Sequence, residues 1–303
     1  MRSVVVAVGQ SVVNYLGLVT RLPDLGEEAE LVEFSQQGGG AAATAAAALA
    51  VLGAPTRFLG KVADDHFGDF LRVGLGQLGV DLRYTVIEKG RVSPFSFTAV
   101  EEGTGRRTLF WSGGNTGLLD LAEVPADQAL EDCAVLLIDG HLNDVQLRLA
   151  QQARERGATV VWDAHTPVGV TAELLRVTDV LVASERFTME ITESGELQAT
   201  LAELSALGPA TCIITLGDEG AVGRDQEHHF HREPSFPVKV RDTTGVGPVY
   251  CGAYVYAILQ RWPLPRAMRF AAVMAGLECT KLGARAGIPG LAEIETALER
   301  YER

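Results

Sequence analysis

The chain has 303 residues, of which 47% are hydrophobic and 21% charged, and a formal net charge of −13. That composition is globular, not disordered, and the length suffices to bury a substantial core in one large α/β domain or two ordinary ones. The acidic balance argues against a nucleic-acid or anionic-membrane surface, which needs a basic patch, although a few backbone N–H groups and one arginine can still hold a small anion.

Residues 3–9, SVVVAVG, form a β-branched run closed by glycine and predict a buried parallel strand. The apolar run is too short for a signal peptide. Residues 10–36 are polar, turn at LPDLGEE and read as an excursion from the core. GGGAAATAAAALAVLGA is a glycine hinge opening into an alanine helix that ends at Gly53. The Ala-rich run 41–52 falls far short of the ~20 residues of a membrane span. Close packing on a sheet accounts for the alanines, while three glycines before a helix also let a ligand approach the backbone. TRFLGKV predicts a strand and HFGDFLRVGLGQLG a helix.

Residues 91–111, RVSPFSFTAVEEGTGRRTLFW, predict a β-hairpin turning at EEGTGRR. With residues 14–36 it would make a small β-lid. AVLLIDG (134–140), ATVVWDA (158–164), DVLVAS (179–184) and TCIITLG (211–217) read as apolar strands, with helices over 143–156 and 197–207 between them. This alternation predicts a parallel sheet with helices on both faces, and ligands then collect at the carboxyl ends of the strands. Asp139, Asp163, Ser184, Glu185, Thr215 and Gly217 lie at such ends. The tail reads as helices over 248–260 and 264–281, the segment LGARAGIPG and a last short helix. No repeat, linker or charge tract divides residues 1–303, so one domain is expected.

Several smaller constellations have two readings. In DAHTP, Asp163 and His165 either face a ligand or form a helix-capping turn. Asp139 and His141 in DGHLND follow a strand in the same way. EHHFHRE puts His229 and His231 on one strand face, which suits an exposed strand near a turn better than a metal site, since no Cys/His cluster completes one. Cys133, Cys212, Cys251 and Cys279 form no C-x-x-C pair and read as reduced thiols of a cytoplasmic protein.

The most informative stretch is RDTTGVGPVYCGAY, Arg241 to Tyr254. Two glycines spaced one apart before a helix point backbone N–H groups at one place, and the helix dipole adds positive charge there. By itself G-x-G is a weak signal shared with structural turns. Asp242, Thr243 and Thr244 add a carboxylate and two hydroxyls suited to a cation or phosphate, and TLGDEG supplies a second glycine turn.

Gly9, GGGAAATAA (38–46), the hairpin with Arg107, TLGDEGA (215–221), DTTGVGP (242–248) and ECTKLGARAGIPG (278–290) occur in the order of a known family. Over nearly its whole length the chain resembles the PfkB, or ribokinase-like, carbohydrate kinases. It looks closest to the branch of ketohexokinases and sulfofructose kinases, where VASERF (182–187) also fits. The resemblance implies a ribokinase-like three-layer α/β sandwich with a mainly parallel central sheet and a small β-lid. It implies MgATP-dependent phosphoryl transfer to a sugar hydroxyl, with a monovalent cation as a further cofactor. Sugar and nucleotide would be the small-molecule partners, nucleic acid and membrane would not, and relatives suggest a homodimer through the lid.

By the same resemblance Gly245, Val246 and Gly247 form the anion hole. Asn14, Gly39, Gly40, Thr44 and Arg107 hold the sugar. Thr215, Gly217, Gly220, Asp242, Ser184 and Glu185 serve the nucleotide, and no metal ligand is assigned.

Three positions depart from the family pattern. Pro248 stands where G-A-G-D supplies the aspartate base, and proline can neither accept a proton nor offer an N–H. Asn14 replaces an aspartate that grips two sugar hydroxyls, and Cys251 replaces a histidine common in the branch. A positioned base is typically worth ~10²–10⁴-fold in rate, so impaired catalysis is expected. Proline is also a favoured first residue of a helix, so the change suits the fold. The open alternatives are a base relocated to Cys251 or Asp242, and a non-catalytic nucleotide- or sugar-binding protein on a kinase scaffold.

Overall fold

The computed structural model describes residues 3–104 and 106–301. Its main sheet has eight strands. From edge to edge they are Phe230–Glu233, Ala221–Arg224, Thr211–Thr215, Val180–Ser184, Thr159–Ala164, Cys133–Ile138, Val4–Val8 and Thr56–Leu59. All neighbours from Thr211–Thr215 to Thr56–Leu59 pair in parallel. The remaining two strands add an antiparallel edge.

The strand sequences explain why this sheet is central. Side chains alternate across a strand, yet here both sets are apolar. Val5, Ala7, Val135, Leu137 and Val161 enter a core shared with helices Ala41–Val51, Val246–Leu259 and Leu264–Glu278. Val6, Val8, Leu136, Ile138 and Trp162 enter a second core with helices Asn143–Glu155, Thr171–Val177 and Leu197–Ala206. Three layers result, as the apolar runs imply.

The strands end sooner than their runs, at Val8, Ile138 and Thr215, because the glycine or aspartate that follows turns into the strand-end region. TRFLGKV is not one strand. It breaks at Gly60 into Thr56–Leu59 and Lys61–Ala63, and the latter pairs with Val86–Glu88. Two helix boundaries also differ. Val246–Leu259 starts before Pro248, and Leu264–Glu278 stops short of residue 281.

A second sheet runs Glu33–Gly39, Val12–Val19, Phe95–Glu101 and Arg107–Ser112. Residues 10–36 are therefore not only a polar excursion, since Val12–Val19 and the start of Glu33–Gly39 are strand. Leu16, Leu18 and Val100 bury together with Leu282 and fasten this sheet to the body. The turn of the expected hairpin includes Gly105, which lies outside the described residues. The outer strand exposes Leu109, Phe110 and Trp111 at 53%, 63% and 73%. No helix among the described residues is long and apolar enough to cross a membrane.

Candidate functional site

A cavity of about 1060 Å³ opens at the carboxyl ends of the parallel strands. Gly39, Gly40 and Thr44 reach it from the hinge, and Asn14 and Arg107 from the second sheet. Ser184, Glu185, Thr215, Gly217 and Gly220 line it from the strand ends. Gly245, Val246, Gly247 and Pro248 close it from the loop. Asp242, also assigned to the nucleotide, is not among the residues that line the cavity, and neither are Gly9 and Cys251.

The loop owes its shape to a few requirements. Gly245 is the helix N-cap at φ 89, and a Cβ there would stand 2.7 Å from the Ala284 Cα, so only glycine fits. Asp242 is buried beneath it. One of its oxygens accepts from the Thr244 N–H at 2.9 Å and hydroxyl at 2.8 Å, and the other from the Gly283 N–H at 2.8 Å. It braces the loop against the 283 segment. Pro248 occupies the third helical position, not the first as expected, since the helix begins at Val246. The fold tolerates it for the same reason, because N–H groups of the first turn have no intrahelical partner.

The two positions considered for a substitute base sit differently from Pro248. Cys251 is fully buried, and that burial pushes its thiol well above the ordinary range, the reverse of the activation expected at a helix start. Asp242 already accepts three hydrogen bonds and is not among the residues that line the cavity.

On the hinge side, the Ser96 hydroxyl donates to Asn14 Oδ1 at 2.9 Å, so the asparagine carbonyl is already engaged. The guanidinium of Arg107 donates to the Thr244 hydroxyl at 3.4 Å, joining second sheet to loop. Arg285 lies behind the hinge and donates to the Gly39 carbonyl at 2.9 Å. Burial lowers its pKa to about 9, and no opposite charge of the described residues offsets that fall. Gln37 Oε1 accepts from the Arg285 and Ala286 N–H groups, tying the GARAG segment to the hinge. Arg285 carries no signal in the sequence beyond belonging to a motif, because its partners lie 241 and 246 residues away.

At the strand ends the two aspartates differ. Asp139 is buried and accepts from the Gln10, Ala42 and His141 N–H groups and from Gln146 Nε2. Burial works to raise its pKa, but the bonds from His141 and Gln146 outweigh it and hold the carboxyl low. It stitches the first strand to the hinge helix and does not line the cavity. Asp163 instead stands 3.2 Å from His165 Nε2, and His165 does line the cavity. The Ser184 hydroxyl donates to the His165 carbonyl at 3.0 Å and accepts from the Phe187 N–H, which fixes this corner.

Glu278 is wholly buried with both carboxyl oxygens unpartnered. Burial, and then the neighbouring Asp242 charge, pushes its pKa up to about 9. Nothing in ECTKLG announces this. His229 and His231 share Asp225 Oδ2 at 3.3 and 3.1 Å, away from the cavity. Among the described residues no group of three His, Cys, Asp or Glu side chains suits a metal ion. Cys133, Cys212, Cys251 and Cys279 are all buried.

A mainly parallel three-layer sheet beneath a small second sheet, with a glycine loop at the strand ends, defines the ribokinase-like α/β class. The chain belongs to the pfkB family of carbohydrate kinases, whose family model matches residues 2–290. It is 27% identical to a ribokinase of Haemophilus influenzae over 260 residues, 83% of this chain and 84% of that protein. It is 25% identical to a 5-dehydro-2-deoxygluconokinase of Geobacillus kaustophilus over 277 residues, 84% and 82% of the two chains. An Arabidopsis thaliana ribokinase, solved in complex with ribose and ATP, superposes with a TM-score of 0.85 at 23% identity, covering 99% of each chain.

Proposed function

We propose that this chain is a single-domain carbohydrate kinase homologue that holds MgATP and a sugar in the cavity but transfers the phosphoryl group poorly. The observation that carries the proposal is Pro248 on the cavity wall, where the family pattern supplies the proton acceptor. The buried Cys251 and the occupied Asp242 leave no substitute among the residues considered for that role. The Arabidopsis ribokinase with ribose and ATP supports both ligand classes. Gly39, Gly40, Thr44, Asn14 and Arg107 would hold the sugar, and Thr215, Gly217, Gly220, Ser184 and Glu185 the nucleotide. When bound, MgATP supplies the transferable phosphoryl group, with magnesium offsetting its charge.

The residues also fit a monovalent cation. The unpartnered carboxyl of Glu278 beside Asp242 is a buried acidic pair that a cation would neutralise. The exposed Leu109, Phe110 and Trp111 support a homodimer through the second sheet, and the fold suits a cytoplasmic protein.

Calorimetric titration of MgATP tests the proposal. Saturable binding with little sugar-dependent turnover is expected, and no nucleotide binding contradicts it. Asn14→Asp should tighten sugar binding ~10-fold, because a charged acceptor makes a stronger hydrogen bond than a neutral one. Equal or weaker sugar affinity in that variant would remove Asn14 from the sugar side.

A further inference from the structure

His165 and His141 each stand beside an aspartate at adjacent strand ends, but only His165 is among the residues that line the cavity. It follows the strand Thr159–Ala164, lines the cavity, and packs against the anion loop. A Cβ on Gly247 would lie 3.0 Å from His165 Cε1, so the imidazole occupies the space that a side chain there would need. Its Nε2 is turned to Asp163, while Nδ1 has no hydrogen bond to any described residue. Asp163 is 3% exposed and its Oδ2 is buried without a partner. A buried carboxylate that poorly bonded needs a cation beside it, and His165 is the group in contact.

We propose that His165, held by Asp163, is a cationic ligand for the terminal phosphate of a bound nucleoside triphosphate, contacting it beside Gly247. This rests on the nucleotide-binding reading above. It deepens that reading by naming a charged donor next to Pro248, which has no N–H to give. The charge is favoured on several sides. Asp163 raises the imidazole pKa to about 9 against the opposing effect of burial, and Asp139 on the adjacent strand adds to the rise. His141 stands on the adjacent strand end, where the charge of His165 works against the rise that Asp139 gives its imidazole. Cys251, on the helix packed below, is neutral because burial raises its thiol. Glu185, Arg186 and Arg107 stand on the remaining cavity wall. A histidine already protonated at neutral pH is a phosphate ligand and not a proton acceptor, so it does not restore what Pro248 lacks.

The test uses the native protein with ¹⁵N-labelled histidine and inorganic tripolyphosphate as the probe. At neutral pH the probe should shift the His165 ring resonances and raise their titration midpoint. Affinity should be highest while the imidazolium persists and fall as pH rises through about 9. Asp163→Asn should move that fall toward 6.5, the ordinary histidine value. His165→Asn should bind tripolyphosphate and MgATP ~10-fold more weakly at neutral pH, the scale of a hydrogen bond to a charged group. Unshifted His165 resonances, or equal affinity in His165→Asn, overturns the inference. Native binding of MgATP with no effect of His165→Asn removes the inference and leaves the nucleotide reading intact. A His165-dependent tripolyphosphate site in a protein that rejects MgATP overturns both the nucleotide reading and the inference, leaving His165 a ligand of polyphosphate only.

Discussion

Pro248→Asp raises sugar-dependent ADP release ~10²–10⁴-fold over the native protein, the range a positioned base supplies. The substitution places a carboxylate on the cavity wall in the first turn of the helix Val246–Leu259. Its charge is favoured there by the helix dipole, and the position has no intrahelical N–H bond to lose or gain. The variant should therefore fold as the native protein does. Pro248→Asn is the control, since it restores a polar side chain and an N–H but no proton acceptor, and it should stay near the native rate. If aspartate and asparagine accelerate equally, the missing element is the N–H. If neither does, position 248 does not limit transfer.

The second large effect concerns Glu278. Its carboxyl is raised from 4.5 to about 9, so the folded chain keeps a proton that the unfolded chain releases. That contribution to stability is fully present below 4.5 and is lost as pH climbs toward about 9. His165 acts in the same direction, but only above its ordinary 6.5, so the interval from 4.5 to 6.5 isolates Glu278. In buffer free of potassium and sodium, Glu278→Gln should flatten the fall in stability across that interval. At neutral pH it should gain ~1–3 kcal/mol, because holding the proton costs ~1.4 kcal/mol per pH unit and the unbonded amide returns part of the gain. Added potassium should raise the melting temperature of the native protein and leave Glu278→Gln unmoved. A variant less stable than native with an unchanged pH slope would show that Glu278 is ionised and satisfied in the fold.

The layers were legible because Val4–Val8, Cys133–Ile138 and Thr159–Ala164 are apolar on both faces, a pattern that only a sheet covered twice can satisfy. The glycine loop and hinge were legible because their spacing is local. Depth was not. Cys251 is a candidate base in the sequence, whereas the helix is packed between the sheet and Ala41–Val51 and buries the thiol completely. Asp242 looked like a ligand-facing residue, but its bond to Gly283 spans 41 residues and turns it inward. Arg285 and Glu278 were silent for the same reason. Their character comes from what packs around them and from the absence of an opposite charge, which no short motif records.

The most direct test of the whole account is steady-state ADP release by the native protein, with saturating MgATP, across ketoses, aldoses and nucleosides. Nucleotide binding is expected, with turnover far below that of Pro248→Asp on the same sugar. Turnover by the native protein at an ordinary kinase rate, ~1–100 s⁻¹, would contradict it and show that phosphoryl transfer here needs no carboxylate at position 248.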